Sequence, residues 1–144
     1  MVTRYFALLV LIAAMLAAAQ SAPKTPPPVQ GEPTKTPTGL EYWDIKVGTG
    51  RIAKAGSDVT VDYTGWLEKN GKRFDTTIGK EPFAMTIDST RVIPGWTEGL
   101  KGMRAGGIRR LRIPPNLGYG SEGSGKSIPP NATLIFDIEL LTVR

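Results

Sequence analysis

The sequence predicts an α+β domain in which a curved antiparallel sheet wraps a single short helix. Three observations carry this. Asp58 to Leu67 alternates, with Val59, Val61 and Tyr63 on one side and Asp58, Asp62 and Thr64 on the other, the period of a half-buried strand. Asn70-Gly71 follows at once, a strong hairpin-turn signal leading into Lys72-Arg73-Phe74. One stretch, Pro94 to Gly102, has helix punctuation, with proline near its first turn and glycine near its end. The 17 Gly and 12 Pro among 144 residues fit the same turn-rich β reading.

The chain divides into three kinds of material. Residues 1–19 carry Arg4 followed by an uncharged, mostly apolar run from Tyr5 to Ala19, and Ala17, Ala19 and Ser21 offer small-x-small cleavage patterns. The run is shorter than the ~20 residues that span a bilayer comfortably. We read it as a signal peptide, with an uncleaved N-terminal anchor as the other reading. The expected location is exported: a periplasm or cell envelope, or a eukaryotic secretory lumen or the outside. Residues 20–38 hold six of the twelve prolines among Thr, Lys and Gln, with Val29 the one large apolar side chain. Such a segment buries too little surface to repay its ordering entropy, so an extended, solvated linker is expected. A proline-rich ligand for a partner is the alternative.

Residues 39–144 form the domain. Leu40 to Val47 is a strand candidate closed by Gly48 and Gly50, and Phe83 to Ile87 a short one. Ile108 to Ile113 is a strand stopped by Pro114-Pro115. Residues 116–132 form a long Gly/Pro/Ser loop, and loops of that length are usually functional. Thr133 to Val143 is the longest strand, with Phe136, Ile138 and Leu140 on one face.

Composition excludes much chemistry. Without cysteine there are no disulfides, thiolate nucleophiles or cysteine metal sites, and without histidine no Ser-His or Cys-His nucleophile systems. The net charge of +5 raises a nucleic-acid hypothesis, but removing Arg4, Lys24, Lys35 and Glu32 leaves +3 for the domain. The densest basic run, Arg109, Arg110 and Arg112, alternates with Leu111 and Ile113 as a strand with one solvated, charged face would. Gly118-x-Gly120-x-x-Gly123 matches a dinucleotide-binding spacing, but Pro129-Pro130 follows instead of a helix. No specific nucleic-acid partner is expected.

Five motifs stand in a characteristic order: Val61-Asp62-Tyr63-Thr64-Gly65, Gly71-Lys72-Arg73-Phe74-Asp75, Val92-Ile93-Pro94-Gly95-Trp96, Gly118-Tyr119-Gly120, and Ile128-Pro129-Pro130-Asn131-Ala132-Thr133-Leu134-Ile135-Phe136. From about Gly39 to the C-terminus the chain resembles the FKBP-type peptidyl-prolyl cis–trans isomerases. The resemblance implies a five-stranded antiparallel half-barrel around one short helix, with an apolar pocket between them. Carried over, Asp75, Tyr119, Phe74 and Trp96 are the catalytic candidates, with Trp96 as the pocket floor beneath the substrate proline. Tyr63, Phe83, Val92, Ile93, Ile128 and Phe136 are the binding candidates, Ile128 through its backbone N–H. Met85 stands where the family commonly has a second aromatic, which implies a softer wall. Ser121 to Lys126 lacks bulky apolar side chains, which leaves preferences at residues flanking the proline open.

The implied reaction explains the missing nucleophiles. X-Pro bonds rotate against an amide-resonance barrier of roughly 18–20 kcal/mol, and no bond to the enzyme forms. A twisted amide is less charge-separated than a planar one, so an apolar pocket disfavours the ground state more. The resemblance implies no cofactor and a monomer acting on proline-containing unfolded or partly folded polypeptides, with macrolide-type ligands in the same pocket. A chaperone-like binding module with incidental turnover is the second reading.

Overall fold

The computed structural model describes residues 21–144, so the targeting segment expected over 1–19 lies outside the described residues. Two ten-residue strands make the sheet's spine: β3 (Asp58–Leu67) and β7 (Leu134–Val143), antiparallel from Val59↔Val143 to Leu67↔Leu134. On the far side of β7 lie β6 (Ile108–Ile113) and then β2 (Glu41–Lys46). On the far side of β3 lie β4 (Arg73–Thr76) against its second half and β5 (Phe83–Thr86) against its first. These two share one row, so the sheet has five rows from β2 to β4/β5, as expected for a half-barrel. A two-residue strand β1 (Thr34–Lys35) adds a sixth row on β2. The sheet does not close.

The inner face follows the alternation read in the sequence. Val59, Val61, Leu111, Ile113, Leu134, Ile138 and Leu140 are at most 2 % exposed. Across this face packs α1 (Pro94–Leu100), with proline in its first turn. Seven residues form no independent helix in water, so α1 depends on this packing. Two glycines let it approach. A Cβ on Gly95 would stand 2.7 Å from Ile113 Cγ2, and one on Gly99 2.6 Å from Leu111 Cδ1. That close seat puts Trp96, 5 % exposed, into the core.

Arg109 shares the inner face with Leu111 and Ile113. Its Nη1 donates to Gly99 O (3.0 Å) at the end of α1, its Nε to Asp44 (2.8 Å), and its guanidinium lies 4.2 Å from the centre of the Tyr42 ring. Arg110 lies on the outer face, paired in bidentate fashion with Asp137. Arg112 reaches Glu41 (2.8 Å) and Glu68 (3.0 Å). The expected solvated arginine face is therefore corrected. Arg109 and Arg110 are 8 % and 5 % exposed, and each of the three guanidiniums is matched by a carboxylate on a neighbouring strand or turn.

The linker is largely exposed, as expected of a solvated segment, yet it is anchored to the domain. Residues 22–31 cross the outer face and hydrogen-bond to four side chains, including Trp66 Nε1 to Pro23 O (3.1 Å) and Trp43 Nε1 to Gly31 O (2.9 Å). Thr34 and Lys35 then pair with Tyr42 and Glu41, and Thr38 Oγ1 donates to the Glu98 carboxylate of α1 (2.6 Å to Oε2). The donors that anchor it belong to the domain, not to the segment, so its own composition does not reveal them. Among the described residues no helix is long and apolar enough to cross a membrane.

Gly99→Ala tests the helix seat. Leu111 is fully buried and cannot swing aside freely, so a loss of about 1–3 kcal/mol is expected. The check is a lower urea midpoint at unchanged m-value. An unchanged midpoint would show that the seat has slack.

Candidate active site

Between α1 and the concave sheet face lies a cavity of about 180 Å³. Its walls come from four strands, the helix and two connecting segments. β3 supplies Tyr63, β4 Phe74 and Asp75, β5 Phe83, β7 Phe136, and α1 Trp96. Arg91, Val92 and Ile93 close it from the segment entering α1, and Tyr119 from the turn after Pro115–Leu117.

The aromatic rings pack edge to face. Trp96 is the hub, with ring centres 4.7 Å from Tyr63, 5.4 Å from Phe136 and 6.0 Å from Phe83, at 82°, 87° and 77°. Phe74 completes the set against Phe136 (5.5 Å, 87°). Such crossings are each worth about 0.5–1.5 kcal/mol beyond area burial. They contribute ring faces and edges to a lining that also includes Asp75 and Arg91. Gly65 lies behind this wall: a Cβ there would stand 2.7 Å from both Phe74 Cζ and Phe136 Cε1. The Trp96 indole N–H is buried with no hydrogen-bond partner among the described residues, a cost of about 1–3 kcal/mol retained at the cavity.

Phe74 and Asp75 are consecutive, yet both line the cavity. Simple alternation would send one of them outward. The register between β3 and β4 slips at this point, with Gly65 opposite Asp75 and Trp66 opposite Arg73, so Phe74 is the extra residue of a bulge. A bulge re-aims side chains in this way.

Both Asp75 carboxylate oxygens are held. Oδ2 accepts from Tyr63 Oη (2.5 Å) and Oδ1 from the Thr76 N–H (2.9 Å). Tyr63 is held in turn by Thr77, whose N–H donates to Tyr63 O (2.9 Å) and whose Oγ1 accepts from the Tyr63 N–H (2.9 Å). Tyr119 stands at the rim, 39 % exposed, on a turn fixed by Gly118 and Gly120 N–H groups donating to Pro115 O.

Nine of the ten expected site residues thus line one cavity. Ile128 does not: it is 5 % exposed in the main core, and its N–H donates to Ser124 O (3.1 Å). Met85, expected as a softened wall, is likewise a core residue, 5 % exposed and absent from the lining. Sequence reasoning missed Arg91 and Thr77. Arg91 directly precedes Val92-Ile93, so adjacency was its available signal. Thr77 acts through a contact across fourteen residues that no local pattern announces.

Burial raises the Tyr63 phenol above its ordinary value, helped by the hydrogen bond to Asp75 and its charge. Burial, then the Asp75 charge, raises Tyr119. Both stay protonated donors below pH 10. The folded state therefore holds these protons more tightly than the unfolded chain. Their stabilising contribution is complete below the unfolded value near 10 and is lost as pH rises beyond it. Urea midpoints followed from pH 8 to 11.5 should fall above about pH 10. The fall should be shallower in Tyr63→Phe, and equal slopes in the two proteins would remove Tyr63 as its source.

The chain matches a family model described as FKBP-type peptidyl-prolyl cis-trans isomerase over residues 49–141. It is 49 % identical over 106 residues to the FK506-binding protein of Neisseria meningitidis, covering 73 % of this chain and 96 % of the relative. It is 52 % identical over 108 residues to the peptidyl-prolyl cis-trans isomerase FKBP15-3 of Arabidopsis thaliana, covering 74 % and 75 %. FkpA from Escherichia coli superposes with a TM-score of 0.72 at 44 % identity, over 80 % of this chain and 53 % of that one. By sequence and by fold, the chain belongs to the FKBP-type peptidyl-prolyl cis–trans isomerases.

Proposed function

We propose that the cavity accelerates cis–trans rotation of X-Pro bonds by excluding water from the amide, with no covalent intermediate. The observation that supports this best is the edge-to-face aromatic cage centred on Trp96, closed at its rim by two positioned polar groups. Pyrrolidine offers apolar surface and no N–H, which suits ring faces and the Val92 and Ile93 side chains. The planar amide is the more charge-separated form, so apolar walls raise its energy by more than they raise that of the twisted amide, which lowers the barrier between them.

In this reading Asp75 is an acceptor held rigid by Tyr63 and Thr76, and takes no proton. Its negative charge beside the amide oxygen opposes the planar, oxygen-rich resonance form. Tyr119 donates to a peptide carbonyl flanking the proline. Ile128 receives no part, because its N–H is engaged by Ser124 O. The substrates are proline-containing unfolded or partly folded chains, and FK506-type ligands compete for the same cage. Exported clients follow from the apolar run before Ala19, and the purified native protein should begin near Gln20 or Ala22 by mass spectrometry.

A protease-coupled proline-peptide assay decides the main point. We expect Phe74→Ala and Trp96→Ala each to lower kcat/KM by about tenfold or more, since each ~1.4 kcal/mol of lost differential binding is worth a factor of ten. Wild-type activity no faster than the buffer rate would refute catalysis, and full activity in both variants would move the site elsewhere. Between pH 6 and 9 the profile should be flat, because the chain has no histidine and both phenols stay protonated. A bend in that range would indicate proton transfer.

A further inference from the structure

The outer sheet face presents a recognition pattern unrelated to the cavity. Four side chains donate to backbone carbonyls of one crossing segment: Arg73 Nη1 to Ala22 O (2.7 Å), Trp66 Nε1 to Pro23 O (3.1 Å), Arg110 Nη2 to Pro27 O (2.8 Å) and Trp43 Nε1 to Gly31 O (2.9 Å). Two indoles and two guanidiniums, all donors, thus meet a chain whose Pro23, Pro26, Pro27 and Pro28 have carbonyls and no N–H. The match is chemical. An ordinary segment laid across a sheet face leaves amide hydrogens unpaired, whereas a proline run presents acceptors alone. Aromatic faces with side-chain donors are a general means of holding proline-rich peptides.

Two further observations mark the face as a site. Trp66 is fully buried yet lies outside the inner-face core cluster, so its burial belongs to this outer contact. Beneath residues 27–30 a cavity of about 570 Å³ remains, walled by Trp43, Ile45 and Ile108. The segment bridges the groove without filling it, and Ile45 stays 47 % exposed. The family match begins at residue 49, downstream of the whole segment.

We propose that the Trp43–Arg110–Trp66–Arg73 face is a second peptide-binding site, specific for proline-rich segments and occupied in cis by residues 22–31. The same face takes a proline-rich peptide in trans when the strap is displaced. The effective concentration of a short tether is on the order of millimolar. A strap that stays docked against it implies that the free peptide binds the vacated face with a Kd of about 1 mM or tighter. The inference does not depend on catalysis, since the strap and the cavity lie on opposite faces of the sheet.

The three tryptophans make the test direct, because Trp43 and Trp66 report on the strap and Trp96 on the cavity. In the full chain, Pro23, Pro26, Pro27 and Pro28 are changed together to Gly, which frees the strap by raising its unfolded entropy. Indole N–H exchange of Trp43 and Trp66 is expected to quicken about tenfold or more, with Trp96 and isomerase activity unchanged. A synthetic peptide of residues 21–32, added to about 1 mM, should restore both signals in this variant and bind wild type about tenfold more weakly. Unmoved Trp43 and Trp66 signals in the variant, peptide that binds both proteins equally, or peptide that shifts only Trp96 would each overturn the proposal. Trp43→Phe gives an independent arm with the inner core untouched: trypsin cleavage after Lys24 should accelerate severalfold, and an unchanged rate would count against the site.

Discussion

A seven-residue helix must lie directly on a sheet if it is to exist at all, and the molecule's architecture depends on how α1 meets β6. Gly95 and Gly99 stand one turn apart on the helix and face Ile113 and Leu111, with no space for a Cβ between them. The contact repays the helix's nucleation cost through burial. It also settles the depth of Trp96, the ring against which Tyr63, Phe83 and Phe136 all pack edge-on. Raise the helix and the cage loses its floor. At the other end, Arg109 ties the Gly99 carbonyl back to the Asp44 strand, so the seat is held from both sides.

The cavity combines soft packing with strictly positioned polarity. Aromatic edges tolerate small shifts, but Asp75 has two donors and Tyr63 is clamped through its backbone by Thr77. Cysteine and histidine are missing from the chain, and bond rotation needs neither. The unpaired Trp96 indole is a standing cost at this place. Functional cavities commonly carry such costs, because a lining complementary to a twisted amide is not the lining that best stabilises the empty fold.

The two faces of the sheet solve opposite problems. The inner face excludes water with aliphatic side chains and one helix. The outer face carries Trp66 and Arg110, both nearly inaccessible, and these need acceptors as well as cover. Asp137 accepts from Nε and Nη2 of Arg110, and strap carbonyls accept from Arg110 Nη2 and from the Trp66 indole. Composition alone marked residues 20–38 as an extended, solvated linker, because composition counts what a segment can bury by itself. It does not count what a neighbouring surface demands.

By itself the sequence determined the α+β class, the strand alternation from Val59 to Tyr63 and from Phe136 to Leu140, the helix at Pro94, and the aromatic membership of the cavity. The first three are local signals, a period of two and a proline–glycine bracket, whereas the aromatic membership came with the family resemblance that the five motifs carry. Alternation says which residues share a face, but it does not say what covers that face. Only the tertiary structure showed how Phe74 and Asp75, both expected at the site, turn inward together: a one-residue slip against β3 overrides the period. Only it placed Arg109 under the helix and Arg110 under the strap, and engaged the Ile128 N–H with Ser124. Each of these outcomes depends on a hydrogen-bond or ion-pair partner whose position the fold sets, so a reading confined to local pattern could not weigh it.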